Sequence, residues 1–142
     1  MPETGVQSPY RPLKAGLFVV PGQLDTPVAL TGNRCRACGS KFFPARAYCA
    51  RCSAHDFAPL TFGPDGVVET FTVVRQSLPG SAMTAPYAIV NVKMAGGVVA
   101  QSVLVDHPVA EVRIGLAVAA VVRRVLTDDD GTEIVNYVFR PR

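Results

Sequence analysis

GNRCRACGSKFFPARAYCARC, residues 32–52, holds all four cysteines of the chain, spaced Cys35-x2-Cys38-x10-Cys49-x2-Cys52. Each C-x-x-C pair can fold into a tight knuckle whose two sulfurs face a common centre. Two knuckles joined by a short hairpin supply four thiolates at the corners of a tetrahedron, with Zn–S near 2.3 Å. Gly39, directly after the first pair, suits the positive φ that such a turn demands. The spacing therefore predicts a metal ribbon with Cys35, Cys38, Cys49 and Cys52 as ligands. A catalytic zinc keeps one coordination position open, usually beside three protein ligands; four thiolates close the site, so the expected zinc is structural. Iron would use the same four ligands, which leaves an electron carrier as an alternative. His55, three residues after Cys52, can replace a ligand, but four cysteines already suffice.

Disulfide pairing is the weaker expectation. The N-terminal MPETGVQSPYRPLKAGLFVVPG has no cationic segment before its short apolar run, and Pro21 interrupts that run, so no export signal is expected. A cytoplasmic chain keeps its cysteines reduced, and paired cysteines then favour metal. No membrane span is expected either, since no stretch approaches the roughly 20 apolar residues that one requires.

The remainder of the 142 residues can form a core, because hydrophobic residues make up 49%. Net charge is +3, unevenly placed: residues 34–57 carry +4, while residues 63–142 carry −1. Residues 1–29 hold Pro2, Pro9, Pro12, Pro21 and Pro27, which remove backbone donors and disfavour helix before them. They predict an extended arm, either disordered or laid across a partner. The cysteine module follows from Leu30, and APLTFGPD, residues 58–65, reads as a short hinge. The working division is an arm at 1–29, a ribbon at 30–62 and a barrel at 63–142.

After Gly66 the pattern turns to β. VVETFTVVR (67–75) alternates, with Val68, Thr70, Thr72 and Val74 on one face and Val67, Glu69, Phe71 and Val73 on the other. YAIVNVKM (87–94) and VVAQSVLV (98–105) flank the glycine turn AGG and read as a hairpin. DHPVAEVRIG (106–115) has room for one helical turn, LAVAAVVRRVL (116–126) suits a buried strand, and IVNYVFR (134–140) is the last strand. The expected fold is mainly β: a rubredoxin-like zinc ribbon followed by a five-stranded OB-fold barrel, with an extended N-terminal arm. A five-strand sandwich fragment is the alternative.

The residues of the pattern L-x-G-x-R-C-x-x-C-G-x-x-F-F-P-x-R-x-x-C-x-x-C are Leu30, Gly32, Arg34, Cys35, Cys38, Gly39, Phe42, Phe43, Pro44, Arg46, Cys49 and Cys52. Followed by GVVETFTVV, APYAIVNVKMAGG and RIGLAVAAVV, the chain resembles the acyl-CoA-associated zinc-ribbon/OB-fold family over roughly residues 30–140. Members of that family are small subunits of thiolases, thiolase-like aldolases or MaoC-type hydratases. The resemblance implies a non-catalytic zinc-binding subunit of an acyl-CoA-processing complex, partnered by a thiolase-type enzyme or, second, a hydratase. It implies no turnover by this chain alone, and an acyl-CoA thioester as ligand of the complex. Many members begin with a helical arm, from which the proline-rich start departs.

Arg34, Arg36, Lys41, Arg46 and Arg51 are the candidate contacts for coenzyme A phosphates or for a partner, since Arg grips such groups with paired donors. The bland alternative is that they solvate the ribbon. Phe42, Phe43 and Tyr48 are candidates for partner docking, against a small core of the ribbon itself. No catalytic residue is expected. His107 with Asp106 reads as a solvated loop pair, Ser77, Ser81 and Ser102 lack a nucleophile-elbow context, and Asp128–Asp130 read as a turn. Stand-alone binding of single-stranded nucleic acid competes as a function, but the barrel's −1 charge and acidic turn oppose it.

Overall fold

β-Branched residues at alternating positions after Gly66 build most of this molecule. The computed structural model describes residues 10–77, 79 and 83–142. In chain order the strands are β1 (Tyr10–Pro12), β2 (Leu30–Cys35), β3 (Lys41–Phe42), β4 (Phe57–Phe62), β5 (Asp65–Val74), β6 (Tyr87–Met94), β7 (Val99–Leu104), β8 (Ala117–Thr127) and β9 (Glu133–Pro141). A 3₁₀ turn at Val109–Glu111 occupies the connection between β7 and β8, where one helical turn is expected. No helix among the described residues is long and apolar enough to cross a membrane.

β5, β6 and β7 form an antiparallel meander; β7 meets β9 in parallel, β9 pairs with β8, and β8 returns to β5. The sheet therefore closes into a five-stranded OB-fold barrel. Val68, Val90, Val92, Ala100, Val118, Ala120, Val122, Val135 and Phe139 are buried in one core cluster. Strict alternation along β5 does not survive. The register jumps between Val68 and Thr70, so that Val68 opposes buried Val92 and Phe71 opposes buried Val90. A bulge at Glu69 exchanges the two faces of the strand midway, which a period-two reading assigns to fixed sides.

A second sheet, ordered β3-β2-β4, carries the ribbon. The expected hinge at 58–65 is mostly β4, paired with β2 from Leu30↔Phe62 to Cys35↔Phe57. Pro59 argues for a break in the sequence, yet β4 is an edge strand, the position where a sheet tolerates proline.

From Tyr10 onward the described part of the arm lies on its own barrel. β1 pairs in parallel with β9, and the Val28 amide donates to the Ala120 carbonyl at 2.9 Å. Leu17, Phe18 and Val28 join the barrel core. The prolines exclude helix, as expected, but the apolar residues between them have a barrel to cover. Residues 1–9 lie outside the described residues.

Arm, ribbon and barrel converge on Tyr137, whose ring meets Phe18, Phe43 and Phe139 edge-on at centroid distances of 6.3, 5.9 and 5.8 Å. Its hydroxyl donates to the Gln101 carbonyl at 2.6 Å. Burial pushes the Tyr137 phenol up to about 12, so it remains a neutral donor at physiological pH.

Arg123 adds a polar tie. Its guanidinium forks onto Asp106 and its Nε reaches Asp25 of the arm at 2.5 Å. The hydrogen bond from Arg123 holds the Asp106 carboxyl below its ordinary value. A depressed carboxylate stabilises the fold above its ordinary pKa and loses that contribution as pH falls through the lowered one. Asp106→Asn is expected to cost at most about 1 kcal/mol at neutral pH, because the pair is half exposed. The gap between the two proteins should shrink as pH drops below the ordinary aspartate value of about 3.9. Urea midpoints measured against pH check this, and a gap that does not change with pH would rule the ion pair out as its source.

Candidate metal centre and partner surface

The two knuckles are built alike. The Gly39 amide donates to the Cys35 carbonyl at 2.8 Å, and the Ser53 amide to the Cys49 carbonyl at 2.9 Å. The residue after each pair has positive φ, 83° at Gly39 and 65° at Ser53. Glycine marks the first turn in the sequence; the second carries serine and gives no such signal. Facing each other, the knuckles bring all four Sγ atoms within 4.8 Å of one another. Cys35 to Cys52 is 3.6 Å and Cys38 to Cys49 is 3.5 Å. A tetrahedral zinc with Zn–S near 2.3 Å places its sulfurs about 3.8 Å apart, so the set fits one such ion. Cys35 and Cys49 are buried, whereas Cys38 and Cys52 face outward.

The thiols share protons unequally. Hydrogen bonds from Ser40 push Cys38 down to about 6. At Cys49 burial opposes ionisation, but the Cys52 and Arg51 amides outweigh it and the pKa falls. The Ala54 amide favours the Cys52 thiolate, yet Cys35, burial and the other two thiols together push it up to about 12. Four sulfurs this close cannot all ionise without a cation among them, and a bound metal must displace the protons that remain.

Between the knuckles, Asn33 organises the loop. Its side-chain amide donates to the Arg46 carbonyl at 2.8 Å, and its Oδ1 accepts from the Arg46 amide at 3.2 Å. Asn33 is the buried polar residue among those described, and nothing in its sequence context marks that role. The five basic residues are not equivalent. Lys41 Nζ caps the Gly96 carbonyl on the barrel at 3.0 Å, and Arg36 lies 3.4 Å from Asp56. Arg46 sits 5.5 Å over the Phe42 ring. Arg34 and Arg51 are exposed.

The three aromatics also separate. Phe42 packs edge-on against Phe57, and Phe43 against Tyr137. Tyr48 is 61% exposed and meets His55 edge-on at 4.6 Å, so the outward-facing aromatic of the ribbon is Tyr48.

The remaining candidates have other employment. Asp106 belongs to Arg123, while His107 Nε2 lies 3.1 Å from the Glu111 carbonyl. Ser102 Oγ donates to the Tyr137 carbonyl, and Ser77 Oγ accepts from the Ala85 amide. Ser81 lies outside the described residues. Asp128 pairs with Arg11, and Asp130 accepts from the Thr132 amide, which makes the acidic run a folded turn.

Comparison with known proteins agrees with this geometry. Residues 29–58 match the family model "ChsH2, rubredoxin-like zinc ribbon domain", and residues 61–123 match "ChsH2, C-terminal OB-fold domain". A "DUF35 domain-containing scaffold protein" of Methanocaldococcus jannaschii is 34% identical over 114 residues, 79% of this chain and 81% of that protein. The chain belongs to the DUF35 family. A second DUF35 scaffold protein, from Pyrococcus furiosus, is 32% identical over 113 residues, 79% of this chain and 82% of that one. Among solved structures, the "Ltp2-ChsH2(DUF35) aldolase" superposes with a TM-score of 0.63 at 25% identity, covering 80% of this chain and 84% of that one. This DUF35 chain thus pairs an OB-fold barrel with a four-cysteine zinc ribbon whose donor set suits structural zinc.

Proposed function

We propose that this DUF35 chain is a non-catalytic, zinc-braced scaffold subunit of an acyl-CoA-processing complex whose catalytic partner is a thiolase or thiolase-like aldolase. The observation that carries the proposal is the likeness, over four-fifths of the chain, to the DUF35-containing aldolase structure. Cys35, Cys38, Cys49 and Cys52 would hold zinc, closing the metal to substrate. The arm from Tyr10 onward, the ribbon (30–62) and the barrel (63–142) would work as one body, docking through the ribbon. Tyr48 supplies an exposed anchor there, and Arg34, Arg36, Arg46 and Arg51 supply cations for partner carboxylates or CoA phosphates. Lys41, held by the barrel, contributes less. The partner would carry the chemistry.

Co-expression with a thiolase-like protein of the same organism tests the assignment. The two should co-elute as a hetero-oligomer, with acyl-CoA turnover in the complex and none in this chain alone. Arg46→Ala with Arg51→Ala should weaken assembly or acyl-CoA binding at least about tenfold, the scale of one charged hydrogen bond. Turnover by the isolated chain, or failure to co-purify, would overturn the scaffold role. Unchanged assembly and unchanged acyl-CoA affinity would remove the arginines from it. Co-elution with a hydratase instead would reassign the partner.

A further inference from the structure

β5 runs on past the barrel that it closes. On one side it pairs with β6 from Gly66↔Met94 to Val74↔Tyr87. On the other it has β8 only from Asp65↔Ala119 to Val67↔Ala117. The last bonds on that side are the Val68 amide to the Leu116 carbonyl at 2.9 Å and the Gly115 amide to the Val68 carbonyl at 2.8 Å. Beyond the bulge at Glu69, no strand among the described residues pairs with that side of residues 70–74. Successive residues of a strand turn their backbone groups to opposite edges. Val68 faces β8, so Val67 forms a bonded pair with Lys93 of β6. Counted along β6 across the bulge, the next bonded pairs are Thr70↔Asn91, Thr72↔Ile89 and Val74↔Tyr87. The N–H and C=O groups of Phe71 and Val73 therefore point out along a free edge.

Other edges of the molecule are guarded. Strand edges are kept from pairing by shortness, proline or charge. β1 and β3 are three and two residues long, and β4 carries Pro59. Residues 70–74, TFTVV, hold no proline, glycine or charge. Phe71 lies opposite buried Val90 yet is 36% exposed, and Ile114, next to the Gly115 that bonds Val68, is 67% exposed. Glu69 stands just before the run and Arg75 just after it. Both are exposed, and neither has an ion-pair partner among the described residues.

The edge is complementary to itself. A two-fold axis through Thr72 brings Phe71 of one copy opposite Val73 of the other, so the outward backbone groups of both bond each other. The same register sets Thr70 opposite Val74 and Glu69 opposite Arg75, each twice by symmetry. An axis through Phe71 or Val73 also joins outward groups, but it places Glu69 against Val73 or Ser77 and leaves the charges apart. Opposite charges facing across a strand pair are favourable, so charge complementarity picks one register and names the occupant. Because the contact is the same patch on both copies, it closes at two.

We propose that residues 69–75 form a homodimer interface, in which two copies of this chain join antiparallel about Thr72 into one continuous sheet. No ribbon residue takes part, and the test reads association of this chain alone, so it stands apart from the scaffold role.

Sedimentation velocity of the zinc-loaded full chain at low salt should show a monomer–dimer equilibrium between about 5 and about 500 µM, the weak association of a small interface. Glu69→Arg and Arg75→Glu each make both symmetric pairs repulsive and should raise the dissociation constant at least about tenfold. Mixed in equal amounts, these two variants should pair again, since each then meets the opposite charge. Val73→Pro removes an outward N–H without touching the ladder to β6, so it should keep its fold and zinc and remain monomeric. The charge exchange decides the register without the proline variant. In the wild type, the Phe71 and Val73 amides should gain hydrogen-exchange protection as concentration rises. A wild-type chain that stays monomeric throughout overturns the proposal. So does protection of those amides only on adding a catalytic partner, which would give the edge to that partner. A dimer that both charge variants leave intact, or a mixture of them that does not pair, overturns it as well.

Discussion

Replacing Cys49 by serine is expected to release the metal and to dissolve the ribbon tip while the barrel stays folded. Between Cys35 and Phe57 the buried apolar side chains are two cysteines, Cys35 and Cys49; the aromatics Phe42 and Phe57 are half exposed and Tyr48 is exposed. A segment with so little core depends on its ion, and structural zinc in small fingers supplies about 10–16 kcal/mol of apparent binding free energy that serves as folding free energy. Serine removes one of the two inward sulfurs and is a poor zinc ligand. Zinc content should fall below about a tenth of an equivalent, with hydrogen-exchange protection lost across the knuckles. Protection at Val90, Val92, Val118 and Val122, which belong to the barrel core, should persist. Acid should mimic the variant, because protons compete with the metal for all four sulfurs. A Cys49→Ser protein that retains a full equivalent of zinc, or keeps its knuckle amides protected, would contradict a metal-dependent tip.

Much of this was legible in the sequence, because it rests on local chemistry. The C-x-x-C spacing marks the knuckles, glycines mark the turn after β6, and β-branched runs mark five barrel strands in the right order. What escaped depends on partners distant in the chain. Nothing near Pro59 announces that β2 will lie beside it and make a strand of a hinge. The bulge at Glu69 is set by the register of β6, not by the residues flanking it. The arm's prolines read as disorder or a partner's strap until Leu17 and Phe18 are seen covering the barrel core. In the candidate site, the cysteines and cations were visible as residue types. Their inequality was not, since it follows from Lys41 meeting Gly96 and from Asn33 pinning Arg46 across the loop.

Phe62→Ala is expected to be the most damaging substitution outside the metal site, at about 3–5 kcal/mol. Phe62 is 1% exposed at the end of β4, where the ribbon sheet meets the barrel. Two glycines clamp its ring: a Cβ on Gly32 of the ribbon would stand 2.7 Å from it, and so would a Cβ on Gly96 of the β6–β7 turn. Neither neighbour has side-chain atoms to move into the space, so the cavity cannot collapse cheaply. Gly32→Ala should also destabilise, by about 1–3 kcal/mol or more, because its Cβ falls 2.1 Å from the Phe42 carbonyl oxygen, a backbone atom. Combining it with Phe62→Ala relieves the ring contact but leaves the carbonyl contact, so the double variant should not recover. Urea unfolding with zinc present measures these losses, and a Phe62→Ala loss below about 1 kcal/mol would show that the junction is not packed as described. The same variant separates two organisations of the chain. With ribbon and barrel acting as one body, removing Phe62 should weaken exchange protection at β2 and β4 although all four cysteines remain. Were they separable units, only the overall melting temperature would fall, and the ribbon would keep its protection for as long as it kept its zinc.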